Sequence, residues 1–365
     1  MKKTALLLMA ALFGILLLSG CDEKKPGITV EEKPTVEEIS GANDAPVSVM
    51  EAEENYLWLA YWNYEGFNEE LACFEGTDRA LSVFGVLFDE DGDKPFLPPE
   101  TLELLHNVKK VRKAEDKIYL SFINDLRLLD GSYSNKDVAL LKRLLTEEES
   151  RELHASDILE IALQSGVDGI EIDYENIKKD ESLWEPFALF LEVLKEKCDE
   201  NNLKLRVVLG AYDVNKTSFP AGIEYTVMCY NLYGTHSGPG PKADVAFLKE
   251  TFKRCENLPG GVAAAFATGG FVWADGKYEK AVTEKEAKEL YVLAGEQAGE
   301  PLRDEGSGAL YFTYEEDGVK KEVWYADGET LKLWKSVAGE YGIFKFSLWK
   351  VGGNSQRSLS LFAGK

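Results

Sequence analysis

The chain has 365 residues and a formal net charge of −23, with 64 acidic against 41 basic side chains. This acidic excess argues against electrostatic binding of nucleic acid or anionic lipid head groups. It also disfavours an anionic polymer as a tightly held substrate, unless the cleft is locally neutral. The five cysteines and three histidines lack metal-type spacing, and no Ser-His-Asp or Cys-His arrangement stands out. We therefore expect neither a metal nor another cofactor.

The N-terminus has the features of an export signal. Two lysines precede an apolar run over residues 5–18, which ends in Leu18-Ser19-Gly20-Cys21. The run is too short for a membrane span, so residues 1–20 are predicted to be a secretory signal. The segment around Cys21 resembles the bacterial lipoprotein box, which implies lipidation of Cys21 and an extracytoplasmic, lipid-anchored protein on a bacterial membrane or cell surface. A plain signal with an incidental cysteine is the alternative.

Residues 21–50 are predicted to be a flexible tether, because residues 22 to about 50 are rich in Glu, Lys, Pro, Gly and Ser and lack apolar periodicity. In residues 51–365, β-prone runs alternate with amphipathic helical stretches, which is typical of a parallel sheet. Eight strands over this length predict an α/β fold, a (β/α)8 TIM barrel with its active site at the carboxyl ends of the strands. The predicted strands are Tyr56–Trp62, Leu81–Phe88, Lys117–Ile123, Asp168–Glu175, Leu203–Leu209, Tyr225–Tyr230, Gly261–Phe266 and Ile343–Trp349.

The long segment between the seventh and eighth strands breaks this alternation. Residues 283–295 have a helical pattern, and Asp317-Gly318 lies between two β-prone runs, which is a hairpin signal. A connection this long is either a folded insertion or functional. We expect a β-rich insertion that walls one side of the cleft.

The fourth predicted strand carries the most informative motif, Asp-Gly-Ile-Glu-Ile-Asp-Tyr-Glu over residues 168–175. Alternate side chains of a strand share a face, so Glu171, Asp173 and Glu175 would point the same way. Crowded carboxylates push their pKa values apart, and one can then hold a proton near neutral pH. The motif therefore predicts a general acid. A solvated acidic edge strand is the alternative, which the isoleucines at 170 and 172 disfavour.

This octapeptide resembles the Asp-Gly-x-Asp-x-Asp-x-Glu signature of glycoside hydrolase family 18, the chitinase-like (β/α)8 barrels. The resemblance implies that Glu175 protonates the leaving glycosidic oxygen and that Asp173 orients the 2-acetamido group of the substrate. Asp168 matches the signature, and Glu171 stands where Asp is usual. Both are expected to belong to the substrate site, and the change at Glu171 bears on proton cycling.

Other segments resemble the same family. Met228-Cys229-Tyr230-Asn231 is similar to the sixth-strand Met-x-Tyr-Asp pattern, which implies that the Tyr230 hydroxyl holds the N-acetyl carbonyl, with Asn231 beside it. Trp349 ends the eighth strand, where the family places the floor under a sugar ring. The segment 311–349 looks like the bacterial spore-cortex and cell-wall glucosaminidase branch, and Trp324 and Asp327 match positions near its cleft wall.

The resemblance implies a retaining glycosidase that uses the 2-acetamido group of its substrate as the nucleophile. The expected substrate is an N-acetylglucosamine-containing polysaccharide or oligosaccharide, either peptidoglycan or chitin-type, and the protein is expected to be a monomer. Two alternatives stay open. One is a non-catalytic carbohydrate-binding surface lipoprotein on the same barrel. The other is an endo-β-N-acetylglucosaminidase acting on N-glycans, since Asn231 also occurs among such members.

Overall fold

Eight parallel strands close into a barrel in the computed structural model, which describes residues 55–63, 66–91 and 93–365. Each strand pairs in parallel with the next, and the last pairs with the first through Asn55 and Phe346. The predicted (β/α)8 TIM barrel is therefore confirmed. The strands are β1 Asn55–Ala60, β2 Arg79–Asp89, β3 Lys117–Arg127, β4 Gly169–Asp173, β5 Lys204–Gly210, β6 Glu224–Met228, β7 Val262–Ala267 and β8 Lys345–Trp349.

The predicted signal over residues 1–20, the lipidated Cys21 and the tether over residues 21–50 lie outside the described residues and stay predictions. Across the described ranges, no helix is both long enough and apolar enough to cross a membrane.

Helices follow most of the barrel strands and cover the outside of the sheet. The helix before β4 ends at Gly166, which adopts φ 54, a left-handed conformation that glycine accepts at little cost. This turn sends the chain back into the barrel. The helices are α1 Phe67–Ala72, α2 Pro99–Val111, α3 Val138–Leu145, α4 Glu148–Ser165, α5 Trp184–Glu200, α6 Val245–Arg254, α7 Glu284–Ala294, α8 Gly328–Gly339 and α9 Gln356–Phe362, with short 3-10 turns at Tyr61–Asn63, Ile177–Lys179, Glu181–Leu183, Cys255–Asn257 and Gly295–Ala298.

Strand β4 shows how the alternation of the motif sorts side chains between two environments. Ile170, Ile172 and Tyr174 belong to the main apolar core between sheet and helices. Glu171 lies in the barrel interior, where its partners come from β1, β2 and β5. Gly169 is required for packing, because a Cβ there would lie 2.4 Å from the Tyr119 ring. The strand therefore presents its carboxylates inward and its apolar side chains outward, as the sequence predicted.

The segment between β7 and β8 contains a five-stranded antiparallel sheet. Residues Asp317 and Gly318 form the tight turn of a hairpin, with φ 52 and 75, and Glu316 pairs with Val319 across it. Helix α7 packs with one face of this sheet around a separate apolar cluster. The predicted hairpin and β-rich insertion are confirmed. In spatial order, the strands are Lys277–Val282, Gly269–Ala274, Val319–Ala326, Leu310–Glu316 and Leu302–Arg303.

Strands β2 and β3 extend further than their apolar runs predicted. The sequence placed the end of the third strand at Ile123, but backbone pairing continues to Arg127. The continuation is stabilised by short antiparallel partners, Lys94–Phe96 on β2 and Tyr133–Ser134 on β3. The apolar pattern in the sequence ends at Ile123 because polar side chains follow, but the backbone hydrogen bonds of the strand continue beyond it. These extensions carry the loop residues of β3 beyond the carboxyl end of β4.

His154 on α4 is a packing residue of the outer core. It is 1% exposed, stacks on Phe190 at 4.8 Å, and its Nε2 lies 2.8 Å from the Tyr174 hydroxyl. Burial disfavours the charged imidazolium and lowers the pKa of His154 to about 3.

This burial predicts a pH-dependent loss of stability. The unfolded chain binds a proton at His154 below about pH 6.5 and the folded chain does not, so stability falls as pH drops from about 6.5 towards 3, by up to about 1.4 kcal/mol for each pH unit. His154→Gln should flatten that slope in urea-unfolding curves. His106→Gln, at an exposed site on α2, is the matched control and should leave the slope unchanged. A slope that His154→Gln does not alter would contradict the assignment.

Candidate active site

The carboxyl end of β4 brings two of the predicted catalytic carboxylates to the mouth of the barrel. Asp173 is the last residue of β4 and is in register with Ile123 of β3. Glu175 follows two residues later, and Asn124 of β3 fixes its backbone. The Glu175 amide donates to Asn124 Oδ1 at 2.8 Å, and Asn124 Nδ2 donates to the Glu175 carbonyl at 3.0 Å. The position of Glu175 is thus set by the neighbouring strand.

Asp173 is buried and incompletely bonded. It is 6% exposed, and its Oδ1 has no hydrogen-bond partner within the described residues. Burial, followed by the nearby charges of Glu175 and Glu171, holds the pKa of Asp173 well above its usual range. Asp173 therefore takes up a proton more readily than an exposed aspartate, and its Oδ1 stays open to a ligand. A buried polar atom without a partner costs free energy, which a bound ligand could recover.

Glu175 is the more exposed carboxylate, and it forms an ion pair. Its Oε1 lies 2.6 Å from Lys136 Nζ, and the two side chains are 25% and 38% exposed. Burial opposes the charged form of Lys136, but the carboxylates of Glu175, Asp173 and Asp125 outweigh it and raise the pKa of Lys136. An ammonium group therefore stands on the solvent-facing side of the acidic pair.

Tyr230 and Trp349 belong to an apolar cluster at the same mouth. Its buried members include Trp58 of β1 and Tyr230, and Phe84 of β2 and Trp349 pack against it. Trp349 meets Phe84 edge-on at 4.9 Å and Trp58 at 5.8 Å. Tyr230 is 9% exposed, and burial together with the charges of Asp173 and Glu175 raises its pKa well above its usual range. Its hydroxyl therefore stays protonated and interacts electrostatically with the acidic pair.

Trp62 adds a solvent-facing aromatic surface to this mouth. It lies just after β1, is 48% exposed, and meets Phe84 edge-on at 5.7 Å. The Trp62 and Trp349 rings lie 6.5 Å apart. Half-exposed indoles at such a rim offer apolar faces on which a sugar ring can pack.

Glu171 is not a residue that substrate can reach, which corrects the expectation of direct substrate binding. It is fully buried, and its Oε1 accepts from Trp58 Nε1 at 2.6 Å and from Ser82 Oγ at 2.8 Å. Its Oε2 lies 2.7 Å from Nε of the equally buried Arg206, an ion pair whose N–H direction misses hydrogen-bond geometry. The longer side chain places this carboxylate in the barrel interior, with both oxygens occupied by protein partners.

Arg206 is held by rings as well as by charge. Its guanidinium lies 4.1 Å from the Tyr56 ring centroid and 4.8 Å from that of Trp58. Glu171 and Arg206 are direct neighbours in the register of β4 and β5. The guanidinium compensates the charge of the buried Glu171, whose carboxylate in turn helps to raise the pKa of Asp173.

Asp168 lies at the opposite end of β4 from Glu175, so its expected place in the substrate site is wrong. It precedes β4, accepts from the Ile118 amide at 2.9 Å, and lies 3.4 Å from Arg112 Nη1. The strand runs from the bottom of the barrel to its mouth, which separates the two ends of the motif. Asp168 stabilises the start of β4.

Three other predicted positions have local contacts in the structure, and the part of Asn231 and Trp324 in substrate binding stays a prediction. Asn231 is exposed after β6, with its Nδ2 3.8 Å from Met228 Sδ. Trp324 lies in the insertion sheet, stacked on Tyr311 at 4.4 Å, and its substrate contact stays a prediction. Asp327 caps α8 by accepting from the Thr330 amide.

Sequence reasoning missed several residues that complete the site. Asn124 and Asp125 directly follow the apolar part of the third strand, and polar residues at a barrel strand's carboxyl end were an available signal. Arg206 was also visible as a charge in the middle of an otherwise largely apolar strand next to the strand of Glu171. Lys136 lies in a polar loop and had no pattern to mark it. Over the described ranges, no group of three or more His, Cys, Asp or Glu side chains could hold a metal ion.

No family model matches the chain. Over 236 residues it is 22% identical to the "Uncharacterized glycosylase YvbX" of Bacillus subtilis strain 168, an alignment that covers 60% of this chain and 67% of that protein.

Solved structures give the clearest likeness. A chitinase from Chromobacterium violaceum ATCC 12472 has a TM-score of 0.69 and 18% identity, and the match covers 86% of this chain and 98% of that one. The Bacillus cereus spore cortex-lytic enzyme SleL has a TM-score of 0.70 and 19% identity, over 86% of this chain and 74% of that one. The likeness is one of fold. It supports the barrel, while the chemistry is argued from the residues at the mouth.

Proposed function

We propose that this protein is a retaining glycosidase that cleaves β-linked N-acetylglucosamine-containing glycans, of the peptidoglycan or chitin type, by substrate-assisted catalysis. One observation carries the proposal. Asp173 is buried, its Oδ1 has no hydrogen-bond partner among the described residues, and the more exposed Glu175 and the buried Tyr230 both interact with it electrostatically. Two carboxylates with divergent environments are the usual basis for dividing acid and positioning roles. The similar proteins are named chitinase, glycosylase and cortex-lytic enzyme, which supports a glycosidase.

Each residue has a separate task in this reaction. Glu175, once protonated, gives its proton to the glycosidic oxygen as the bond from that oxygen to C1 breaks. The carbonyl oxygen of the substrate's own 2-acetamido group forms a bond to C1 and yields an oxazolinium ion. Glu175 then takes a proton from a water molecule as the water oxygen attacks C1, and the bond from C1 to the acetamido oxygen breaks, which opens the oxazolinium ring. Two displacements at C1 retain its configuration.

Asp173 and Tyr230 would hold the acetamido group during these steps. The free oxygen of Asp173 can accept the amide N–H, and the Tyr230 O–H can donate to the acetamido oxygen. Both groups are buried, so water competes weakly for these hydrogen bonds. Trp349 and Trp62 offer the apolar surfaces against which the sugar rings would pack.

Turnover of defined glycans tests the proposal against its two rivals. We expect hydrolysis of a fluorogenic chitotriose glycoside, and mass spectrometry should identify products from peptidoglycan or chitin oligomers run beside a high-mannose glycoprotein. Saturable binding of N-acetylglucosamine oligomers without turnover would instead support the carbohydrate-binding alternative. Release of the glycoprotein's glycan alone would favour the N-glycan endoglycosidase.

A further inference from the structure

The loop after β3 places an ammonium group directly on the proposed acid. Lys136 Nζ lies 2.6 Å from Glu175 Oε1. The loop itself is anchored, because the Lys136 amide donates to Asp125 Oδ1 at 2.7 Å and the Asp137 amide donates to the Asn124 carbonyl at 2.7 Å. Asn124 also clamps the Glu175 backbone. One residue of β3 therefore positions both members of the ion pair.

The charge on Lys136 is secured by three carboxyl groups. Glu175 and Asp173 come from β4 and its loop, and Asp125 comes from β3. The Lys136 side chain keeps 38% of its surface exposed, so it is partly open to solvent and to a ligand in the mouth. Lys136 is thus both charged and partly exposed.

This arrangement favours a substrate that carries a carboxylate over a neutral chain. The acid must carry a proton when the glycosidic bond breaks, whereas an ion pair with Lys136 requires an ionised carboxylate. A neutral sugar has no group that competes for the ammonium. A carboxylate on the substrate would compete, and would leave the Glu175 carboxyl group free to take up its proton.

We propose that Lys136 is a specificity-determining residue that binds a carboxylate carried by the sugar next to the scissile bond. The inference rests on the proposed glycosidase function and adds the substrate class, a glycan in which N-acetylglucosamine is linked to an acidic amino sugar. The overall charge of −23 disfavours an anionic polymer unless the cleft supplies a local cation, and Lys136 supplies one. Binding the carboxylate moves the ammonium off Glu175, so substrate recognition and readiness of the acid are coupled.

The test compares matched substrates. A peptide-free peptidoglycan oligosaccharide is used with its lactyl carboxylates free, and again after their conversion to methyl amides. Chitotetraose serves as the neutral chain. The unmodified protein should hydrolyse the free acid with a kcat/KM about 10- to 100-fold above that of the amide, the range expected for a charge-assisted hydrogen bond.

Variants of the loop separate this role from a structural one. Lys136→Met should remove the preference for the acid over the amide, mainly through a higher KM for the acid. Lys136→Arg should restore the preference. Lys142→Met is the matched control, because Lys142 pairs with Asp180 on the exposed surface of α3, and it should leave the preference intact.

The outcomes distinguish failure of this inference from failure of the proposed function. A preference for the acid that survives in Lys136→Met, or no preference in the unmodified protein, overturns the role of Lys136. Absence of hydrolysis of all three substrates by the unmodified protein overturns the glycosidase itself.

Discussion

Glu175→Gln is expected to lower kcat/KM for an N-acetylglucosamine oligosaccharide by about 10²- to 10⁴-fold, the usual contribution of a positioned general acid. Glutamine keeps the shape of the side chain but cannot give a proton to the leaving oxygen. The loss should be smaller for an aryl glycoside, because a phenolic leaving group needs less protonation than a sugar hydroxyl. Initial rates on both substrates measure the difference.

Asp168→Asn is the matched control for this variant. It changes a carboxylate of the same motif at the other end of β4, where the side chain bonds the Ile118 amide. Activity should be kept, and any change should appear as lower stability. Substantial turnover of the oligosaccharide by Glu175→Gln would contradict the assignment of Glu175 as the general acid. An equal loss of kcat/KM in Asp168→Asn would contradict it as well.

Arg206→Met is expected to destabilise the fold by about 3–5 kcal/mol, because it leaves the Glu171 carboxylate buried without a compensating charge. Both side chains are fully buried, with Oε2 and Nε 2.7 Å apart. The double variant Glu171→Gln, Arg206→Met should recover part of this loss, since the glutamine oxygen can still accept from Trp58 and Ser82. Urea-unfolding curves at pH 7 measure the free energy of unfolding of the unmodified protein, of Arg206→Met and of the double variant.

An exposed ion pair provides the control for the buried one. Lys216→Met breaks the contact with Glu181, whose side chain is 60% exposed, and should cost at most about 1 kcal/mol. If Arg206→Met were as mild as Lys216→Met, or if the double variant were less stable than Arg206→Met, the buried pair would not hold the barrel interior as described.

The sequence predicted the barrel because its signals are local. Each strand is a short apolar run, and the Asp317-Gly318 turn dictates its own hairpin through backbone conformation. Strand ends were less predictable. β1 stops at Ala60 because Tyr61–Asn63 turn into a 3-10 helix, and β3 continues past Ile123 because a distant segment, Tyr133–Ser134, pairs with it.

The active site was predictable in part, for a similar reason. The alternation of the octapeptide placed Asp173 and Glu175 at one end of a strand, and the same strand placed Asp168 at its other end. The family resemblance nevertheless assigned Asp168 to the substrate site, which was wrong. Glu171 is buried because it pairs with Arg206, which lies more than thirty residues away in the sequence. Only the register between their two strands shows this pairing. Lys136 reaches Glu175 through the fold of a loop, which no local pattern encodes.

The configuration of the first product tests the central claim most directly. Proton NMR at early times, during hydrolysis of a β-linked N-acetylglucosamine oligosaccharide, reports the anomer released before mutarotation. Two displacements at C1, the first by the acetamido oxygen and the second by water, predict that the β-anomer appears first. Initial release of the α-anomer would show a single displacement by water and would contradict the roles proposed for Asp173, Tyr230 and Glu175.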